Sequence, residues 1–306
     1  MAVLSNVHLP LLLLICIGNV ASGVVFTLQN QCGYTVWPGT LLGNGAAVLG
    51  DGGFELPPGG SVQLTAPPGW SGRFWGRTGC SFDPATGAGN CATGDCGGLK
   101  CPGGGQPPAT LVEFTIASSS ADKDFYDVSL VDGYNIGMSV KPTGGVGDCE
   151  FAGCHDDLNK NCPPELSVVD GPTGRVVACK SACEAFNTPE FCCTGEHGTP
   201  QTCQPTQYSA LFKNSCPTAY SYAYDDATST CTCSGTDYII TFCPCFSSRI
   251  FYGNASSHRA FSCRSCSVDK RLKITMSQVL PLSTRCLRSM PSRVNAAFTS
   301  PLCDAT

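Results

Sequence analysis

Three short segments of the chain alternate apolar and polar residues with the two-residue period of a β-strand. In the first, VVFTLQN, the side chains of Val24, Phe26 and Leu28 share one face. The other two, residues 110–117 and 125–131, are rich in β-branched and aromatic residues. Because successive side chains of a strand point to opposite faces, each segment predicts a half-buried strand.

Clusters of glycine and proline separate these segments and predict turns. They lie at residues 57–60, 67–69, 103–108 and 142–147. The longest stretch with a helical period is residues 176–186. Frequent turn signals with so little helical periodicity favour a mainly β protein.

The first 23 residues predict a cleaved signal peptide. An apolar run at residues 11–17 is followed by the small residues Ala21, Ser22 and Gly23, which suit a signal peptidase. The run is shorter than the roughly 20 residues that span a bilayer. No Lys or Arg precedes it, so a buried N-terminal helix is the alternative hypothesis. On the first hypothesis the mature chain begins at Val24.

Cysteine is unusually frequent, with seventeen cysteines in residues 24–244. In an exported chain this density predicts a disulfide framework and a secreted protein. Nine of them lie in residues 148–216, which have few apolar runs. We expect that segment to consist of loops and one short helix held by bridges, each contributing about 2–4 kcal/mol.

Charge divides the chain into an acidic body and a basic tail. Residues 24–244 hold nine Lys and Arg against twenty-one Asp and Glu, a net charge of −12. Residues 245–306 hold nine Lys and Arg against two Asp and Glu, a net charge of +7. The acidic body disfavours nucleic acid and anionic membranes as partners, and leaves neutral polysaccharide or a basic protein.

Seven segments in residues 24–244 are similar to the motifs of a known family. They are NQCGYTVWPG, FWGRTGCSFD, CATGDCGG, DFYDVSLVDGYNIGM, FCCTG, CPTAYSYAYDD and TCSGTDYIITFCP. With these segments the chain resembles the thaumatin-like family, pathogenesis-related plant proteins that include osmotin and zeamatin. The resemblance implies a β-sandwich with a disulfide-rich loop domain, a smaller disulfide-held loop and a cleft between the first two.

The resemblance also implies eight bridges, a pairing that spacing alone does not give. The implied pairs are Cys32–Cys243, Cys80–Cys91, Cys96–Cys101, Cys149–Cys233, Cys154–Cys216, Cys162–Cys179, Cys183–Cys192 and Cys193–Cys203. Cys231 is left over, at a position where the family usually has an aromatic residue. One interpretation is a buried thiol packed as a small hydrophobic group. The other is a reactive thiol that competes with Cys233 for Cys149.

The candidate binding residues are one arginine and four acids that the family places in its cleft. The last of the four acids is Asp225, and because Asp226 follows it directly, either of the two could face the cleft. Glu113 lies mid-strand between apolar residues and needs a partner or a solvent-lined surface. Residues 127 and 132 would face opposite sides of a straight strand, unless the turn at Asp132-Gly133 bends it. The implied cleft residues are Arg73, Glu113, Asp127, Asp132 and Asp225.

Two carboxylates across a sugar-binding groove are also what glycoside hydrolysis needs. Two hypotheses therefore stand: a secreted, monomeric, antifungal plant defence protein that binds β-1,3-glucan or another cell-wall polysaccharide, and a weak endo-β-1,3-glucanase. In the second, Glu113 is the general acid and Asp132 the nucleophile or base. A third is an inhibitor of a secreted microbial hydrolase, and fungal surface proteins are further candidate partners. The sequence predicts no cofactor and no metal.

The resemblance ends near Pro244, and residues 245–306 form a basic, Ser- and Arg-rich tail. It holds five more cysteines and the N-glycosylation sequon at Asn254. One interpretation is a disordered extension that binds acidic wall polymer. The other is read-through of non-coding sequence, since five extra thiols would endanger an eight-bridge fold.

Overall fold

The computed structural model describes residues 23–45, 47–154 and 156–244. The predictions for the signal peptide before Gly23 and for the tail, residues 245–306, fall outside these residues.

Short strands dominate the described part of the chain. The strands are β1 (Val24–Asn30), β2 (Trp37–Asn44), β3 (Ser61–Ala66), β4 (Ser71–Arg77), β5 (Ser81–Phe82), β6 (Gly89–Asn90), β7 (Leu111–Thr115), β8 (Asp124–Ser129), β9 (Met138–Pro142), β10 (Ala152–Gly153), β11 (Ser167–Val169), β12 (Val176–Cys179), β13 (Cys231–Cys233) and β14 (Tyr238–Phe242). The α-helices are α1 (Ala182–Phe186), α2 (Pro189–Cys192), α3 (Gln207–Ser215) and α4 (Asp226–Ser229). Among the described residues, no helix has the length and apolar character that crossing a membrane requires.

Two five-stranded sheets form a β-sandwich. The first sheet has the strand order β10-β9-β14-β1-β3, and the second has the order β13-β8-β7-β4-β2. In the first sheet β1 pairs with β14 in parallel, whereas its pairing with β3 is antiparallel. The predicted mainly β class and the β-sandwich are therefore confirmed.

Aromatic side chains from both sheets meet in the core between them. Phe26 of β1 contacts Phe74 of β4 with ring centroids 5.1 Å apart, and Phe114 of β7 contacts Tyr238 of β14 at 4.9 Å. The alternation in β1 follows from this packing, because Phe26 and Leu28 are fully buried. Side chains also alternate along β7, so Val112 and Phe114 are buried and Glu113, between them, lies on the outer face.

All eight bridges implied by the resemblance are present, and Cys231 is free and buried. Cys32–Cys243 joins the ends of β1 and β14 over a separation of 211 residues. Asn30 supports this bridge, because its side-chain oxygen accepts from the backbone N–H of Cys32 at 2.9 Å.

The cysteine-rich segment, residues 148–216, contains more regular structure than the sequence predicted. It holds the β11–β12 hairpin and the helices α1, α2 and α3, rather than loops and one helix. The helical period at residues 176–186 was misleading, since Val176 and Val177 begin a strand and the helix starts only after Ser181. The Ser181 side chain caps α1 by accepting from the Glu184 backbone N–H at 3.2 Å.

A buried arginine at the end of β4 fixes a surface loop to the second sheet. The guanidinium of Arg77 donates to the carbonyls of Trp37, Pro38, Gly98 and Leu99 at 2.6–3.2 Å. The side chain is fully buried. The cluster of carbonyl acceptors matches the planar fork of donors on a guanidinium, and these bonds tie the loop of the Cys96–Cys101 bridge to β2 and β4.

Candidate functional site

A row of charged side chains crosses the outer face of the second sheet. Strand register places Arg73 of β4 opposite Glu113 of β7, and Glu113 opposite Asp127 of β8. Directly opposed side chains on one face of a sheet are close enough to interact. The Arg73 Nη1 and Glu113 Oε1 atoms are 3.9 Å apart, and both side chains are more than a third exposed, so this ion pair is weak.

Asp132 joins this row because the chain turns after β8. The backbone N–H of Gly133 donates to the carbonyl of Leu130 at 3.0 Å, and Gly133 has a φ of +82°. A Cβ at position 133 would lie 2.7 Å from the Cys179 carbonyl oxygen, so the turn requires glycine. The Asp132 charge contributes to raising the pKa of Glu113, which shows that the bend brings Asp132 within electrostatic reach of Glu113.

Two carboxyl groups of the row hold protons more tightly than usual. Burial raises the pKa of Glu113; the Arg73 charge opposes this effect, and the Asp132 charge adds to it. Burial, with the charges of Glu113 and Asp226, raises the pKa of Asp127 to about 8. The Oδ1 atom of Asp127 is buried and has no hydrogen-bond partner among the described residues. A carboxyl group in this state is protonated near neutral pH and can donate a hydrogen bond.

Asp225 forms an ion pair and hydrogen bonds with Lys213 and Ser221. Its Oδ2 atom lies 2.9 Å from Lys213 Nζ and accepts from the backbone N–H and the hydroxyl of Ser221. Burial acts to raise the pKa of Asp225, but these donors outweigh it and lower the pKa. A carboxylate held this way stays ionised and anchors the start of α4.

The neighbouring Asp226 is the acid whose charge acts on Asp127. It accepts from the Tyr220 hydroxyl at 2.9 Å, and its charge helps to raise the pKa of Asp127. Backbone bonds hold Tyr220 against the end of β8, since its N–H donates to Val128 and its carbonyl accepts from Leu130. The structure therefore groups Arg73, Glu113, Asp127, Asp132 and Asp226, called the acidic site below, and holds Asp225 apart with Lys213.

Glu184, in the first turn of α1, is an acid that the sequence analysis missed. Burial raises its pKa to about 7; Lys180 opposes this, and the Asp132 charge adds to it. Its Oε2 atom is buried and has no hydrogen-bond partner among the described residues. The pattern Ser181-x-x-Glu184 could have revealed the helix start. No local signal links Glu184 to Asp132, which lies in a separate segment.

The acidic site combines groups that accept and groups that donate hydrogen bonds. An ionised carboxylate only accepts, a protonated one also donates, and a guanidinium only donates. The site therefore suits a ligand rich in hydroxyl groups. A protonated carboxyl group near an ionised one is also the pair that acid–base chemistry uses.

Residues 30–244 match the model of the thaumatin family. The chain is 61% identical over 244 residues to pathogenesis-related protein 5 of Arabidopsis thaliana, an alignment covering 80% of this chain and all of that protein. It is 65% identical over 226 residues to pathogenesis-related thaumatin-like protein 3.5 of Cryptomeria japonica, covering 73% and 91%. It is 53% identical over 228 residues to a Prunus avium protein named glucan endo-1,3-beta-glucosidase, covering 73% and 92%.

Proposed function

The chain belongs to the thaumatin family, with pathogenesis-related proteins among its relatives, and from this premise we propose that it is a secreted plant defence protein that binds β-1,3-glucan at the acidic site. The observation that carries the proposal is the aligned row of Arg73, Glu113 and Asp127, in which donors and acceptors alternate. Sugar hydroxyls both donate and accept, so each has a complementary group in this row.

Charge favours a neutral polymer as the ligand. Residues 24–244 carry a net charge of −12, which repels nucleic acid and other anionic polymers. A neutral glucan carries no charge to be repelled, and its affinity should depend little on salt. The eight bridges support secretion, because such bridges form and persist in oxidising compartments.

Retention on insoluble β-1,3-glucan tests this binding. Glu113→Gln and Asp132→Asn keep the side-chain shapes and remove the charges. We expect each to weaken retention by about 1–2 kcal/mol, or about five- to thirtyfold. The matched control is Glu55→Gln, at an exposed position outside the acidic site, which should leave retention unchanged.

Replacement of the whole family set decides whether the binding site is correctly located. Full retention after replacing Arg73, Glu113, Asp127, Asp132 and Asp225 together, with Asp226 replaced as well, would exclude the acidic site. Residues 148–216 would then be the next region to search.

Hydrolysis of β-1,3-glucan is a second candidate function, favoured by the name of the Prunus avium relative and by the carboxyl pair itself. Glu113, with its raised pKa, would protonate the leaving glycosidic oxygen. Asp132, whose charge acts on Glu113, would attack the sugar or activate a water molecule. These are the roles that the two carboxyl groups of a glycosidase divide between them.

Reducing-sugar release from linear β-1,3-glucan separates the two functions. If the protein is a hydrolase, Glu113→Gln should lower turnover by about 10²- to 10⁴-fold while glucan retention survives. If it only binds, the wild-type protein should release no more sugar than Glu113→Gln does. Activity that is unaffected by both Glu113→Gln and Asp132→Asn would refute the assigned catalytic roles.

A further inference from the structure

Lys213 of α3 holds together the segment that carries Asp226. Its Nζ atom lies 2.9 Å from the Oδ2 atom of Asp225, and it donates to the Ala219 carbonyl at 3.1 Å and to the Ser229 hydroxyl at 2.9 Å. A lysine ammonium has three donors, and these partners use all of them. The partners lie before, beside and after Asp226 in the chain, so one side chain fixes the segment on both sides of that acid.

The helix α3 is a well-fixed support for this lysine. The capping box between Thr206 and Ser209 holds its first turn. Its C-cap is Cys216, which is fully buried and bridged to Cys154. Lys213 lies in the last turn of the helix. Its ammonium group therefore has a defined position before any ligand binds, and little conformational entropy is left to lose.

Tyr220 connects the same segment to β8. Its backbone pairs with Ser129, two residues after Asp127 on that strand. Its hydroxyl donates to the Oδ1 atom of Asp226 at 2.9 Å and also contacts the Thr230 hydroxyl. Thr230 directly precedes β13, the neighbour of β8 in the second sheet. Asp226 is therefore held beside β8, where its charge acts on Asp127.

The titratable groups that face Asp127 in the described part of the chain are Glu113 of β7, Cys231 of β13, Tyr220 and Asp226. Burial raises the pKa of the Cys231 thiol to about 11 and the pKa of the Tyr220 hydroxyl to about 12, so both are uncharged near neutral pH. Glu113 and Asp226 are left as the acids that oppose ionisation of Asp127. Of these two, Asp226 is the one that Lys213 and its partners hold in place.

We propose that Lys213 is a positioning residue of the acidic site, which holds Asp226 beside β8 and thereby keeps Asp127 protonated at neutral pH. A protonated carboxyl group can donate to a sugar hydroxyl, whereas an ionised one can only accept. This role deepens the proposed glucan binding and rests on it for the effect on the ligand. The proton on Asp127 can be measured without a ligand.

Carbon NMR titration of the Asp127 carboxyl group in the ligand-free protein tests this role. In Lys213→Met the segment loses its three-point anchor and Asp226 can move away, so we expect the proton affinity of Asp127 to fall by about three- to tenfold. Loss of a positive charge alone would raise the proton affinity of a nearby acid, so the sign of the change is diagnostic. Lys160→Met, at an exposed lysine paired with Asp157, removes the same charge and should leave Asp127 unchanged.

Two further variants separate the positioning role from damage to the fold. Lys213→Met combined with Asp225→Asn leaves no buried charge unpaired and does not change the net charge, so it replaces Lys213→Met if that variant does not fold. The proton affinity of Asp127 should fall in it as well. In an Asp226→Asn background, where the acting charge is already absent, Lys213→Met should change the proton affinity of Asp127 by less than twofold.

Retention on β-1,3-glucan as a function of pH links this role to binding. Asp127 holds its proton at about pH 6 in the wild type and in Lys213→Met, so the two proteins should differ least there. As the pH rises, Lys213→Met loses the proton first. Its retention should therefore fall at a lower pH than that of the wild type, with the largest difference between about pH 7 and about pH 8.

The remaining outcomes are distinct. A proton affinity of Asp127 that is unchanged or raised in Lys213→Met and in the double variant would overturn the positioning role. An equal fall in the Asp226→Asn background would also overturn it, because Lys213 would then act by another route. If the proton affinity falls as expected but the wild type retains no glucan at any pH, the positioning role stands and the proposed glucan binding fails.

Discussion

Asp127 holds a proton that most aspartates have lost well below neutral pH. The reason is its position: burial and the neighbouring charges of Glu113 and Asp226 raise its pKa to about 8. An aspartate in an unfolded chain titrates near pH 3.9. Between these two values the folded protein binds more protons at Asp127 than the unfolded chain does. Asp127 therefore makes the free energy of unfolding fall as pH rises from about 4 to about 8.

The Asp127→Asn variant should remove this dependence. Asparagine keeps the shape of the protonated acid and cannot ionise. We expect the variant to gain stability relative to wild type as pH rises, by about 1–3 kcal/mol at pH 8 and little at pH 4. Urea unfolding at a series of pH values measures this difference. An offset that is the same at pH 4 and pH 8 would show that Asp127 has the same pKa in the folded protein as in the unfolded chain.

Cys231 is a packed thiol rather than a reactive one. It lies on β13 opposite Tyr126 of β8 and belongs to the core of the sandwich. Burial, followed by the charges of Glu150, Asp127 and Asp148, raises the pKa of the thiol to about 11. Only a thiolate attacks a disulfide. Because Cys231 stays protonated at neutral pH, it does not attack the nearby Cys149–Cys233 bridge in the folded state. The first of the two interpretations from the sequence is the one supported.

We expect Cys231→Phe to stabilise the protein, because the resemblance implies that this position usually holds an aromatic ring. Filling incompletely occupied core space should add about 1–3 kcal/mol to the free energy of unfolding. Cys231→Ala is the control, since it removes the thiol without adding a ring and should destabilise. A melting temperature for Cys231→Phe at or below the wild-type value would mean that the core has already closed around the smaller side chain.

At the scale of elements, the sequence predicted the strands whose alternation is regular, but it predicted one short helix in residues 148–216, where the structure has three α-helices. The first segment agrees with β1 at both ends, and β7 and β8 lie within two residues of their predicted bounds. The helices α1, α2 and α3 span nine residues or fewer and depend on caps and bridges, so they have too few turns to show a period.

Some residues of the acidic site could likewise be recognised in the sequence, whereas the grouping of the others depends on the folded structure. Glu113 could be recognised locally, as a carboxylate between buried residues on β7. Its alignment with Arg73 and Asp127 depends on strand register, which the sequence supplied only through the family resemblance. The pairing of Asp225 with Lys213, and the electrostatic effect of Asp132 on Glu184, depend on the placement of distant segments. No pattern within one segment encodes such contacts.

Arg77 gives a test of how the loop of the Cys96–Cys101 bridge is attached. Lysine in its place has one nitrogen and cannot reach all four carbonyls, so Arg77→Lys leaves buried acceptors unsatisfied. We expect a loss of about 3 kcal/mol or more in the free energy of unfolding. Arg175→Lys, at an exposed position, is the matched control and should change it by less than about 0.5 kcal/mol. Equal values for the two variants would mean that Arg77 contributes no more than a surface arginine.

At the scale of the whole molecule, the bridges and both sheets are complete within residues 24–244. Cys32–Cys243 lies at the far end of this region and closes it. A bridge that closes so long a loop has a large effect in the chain-entropy model of disulfide stabilisation.

Truncation after Pro244 should therefore leave the fold and the binding site intact. We expect the melting temperature and the retention on β-1,3-glucan at physiological salt to match those of the full chain. The reason is that the described sheets and bridges need no residue beyond Pro244. A truncated protein that is not secreted, or that no longer binds glucan, would show that residues 245–306 have a function.

The position of β14 in the first sheet also determines when the protein can finish folding. Among the residues that the structure describes, β14 is the last strand in sequence, yet it is the middle strand of its sheet, between β9 and β1. Until it emerges from the ribosome, β1–β3 and β9–β10 are separate pairs with unpaired edges that invite aggregation. Such a high contact order predicts slow folding. The first sheet and the Cys32–Cys243 bridge can therefore close only after β14 has emerged.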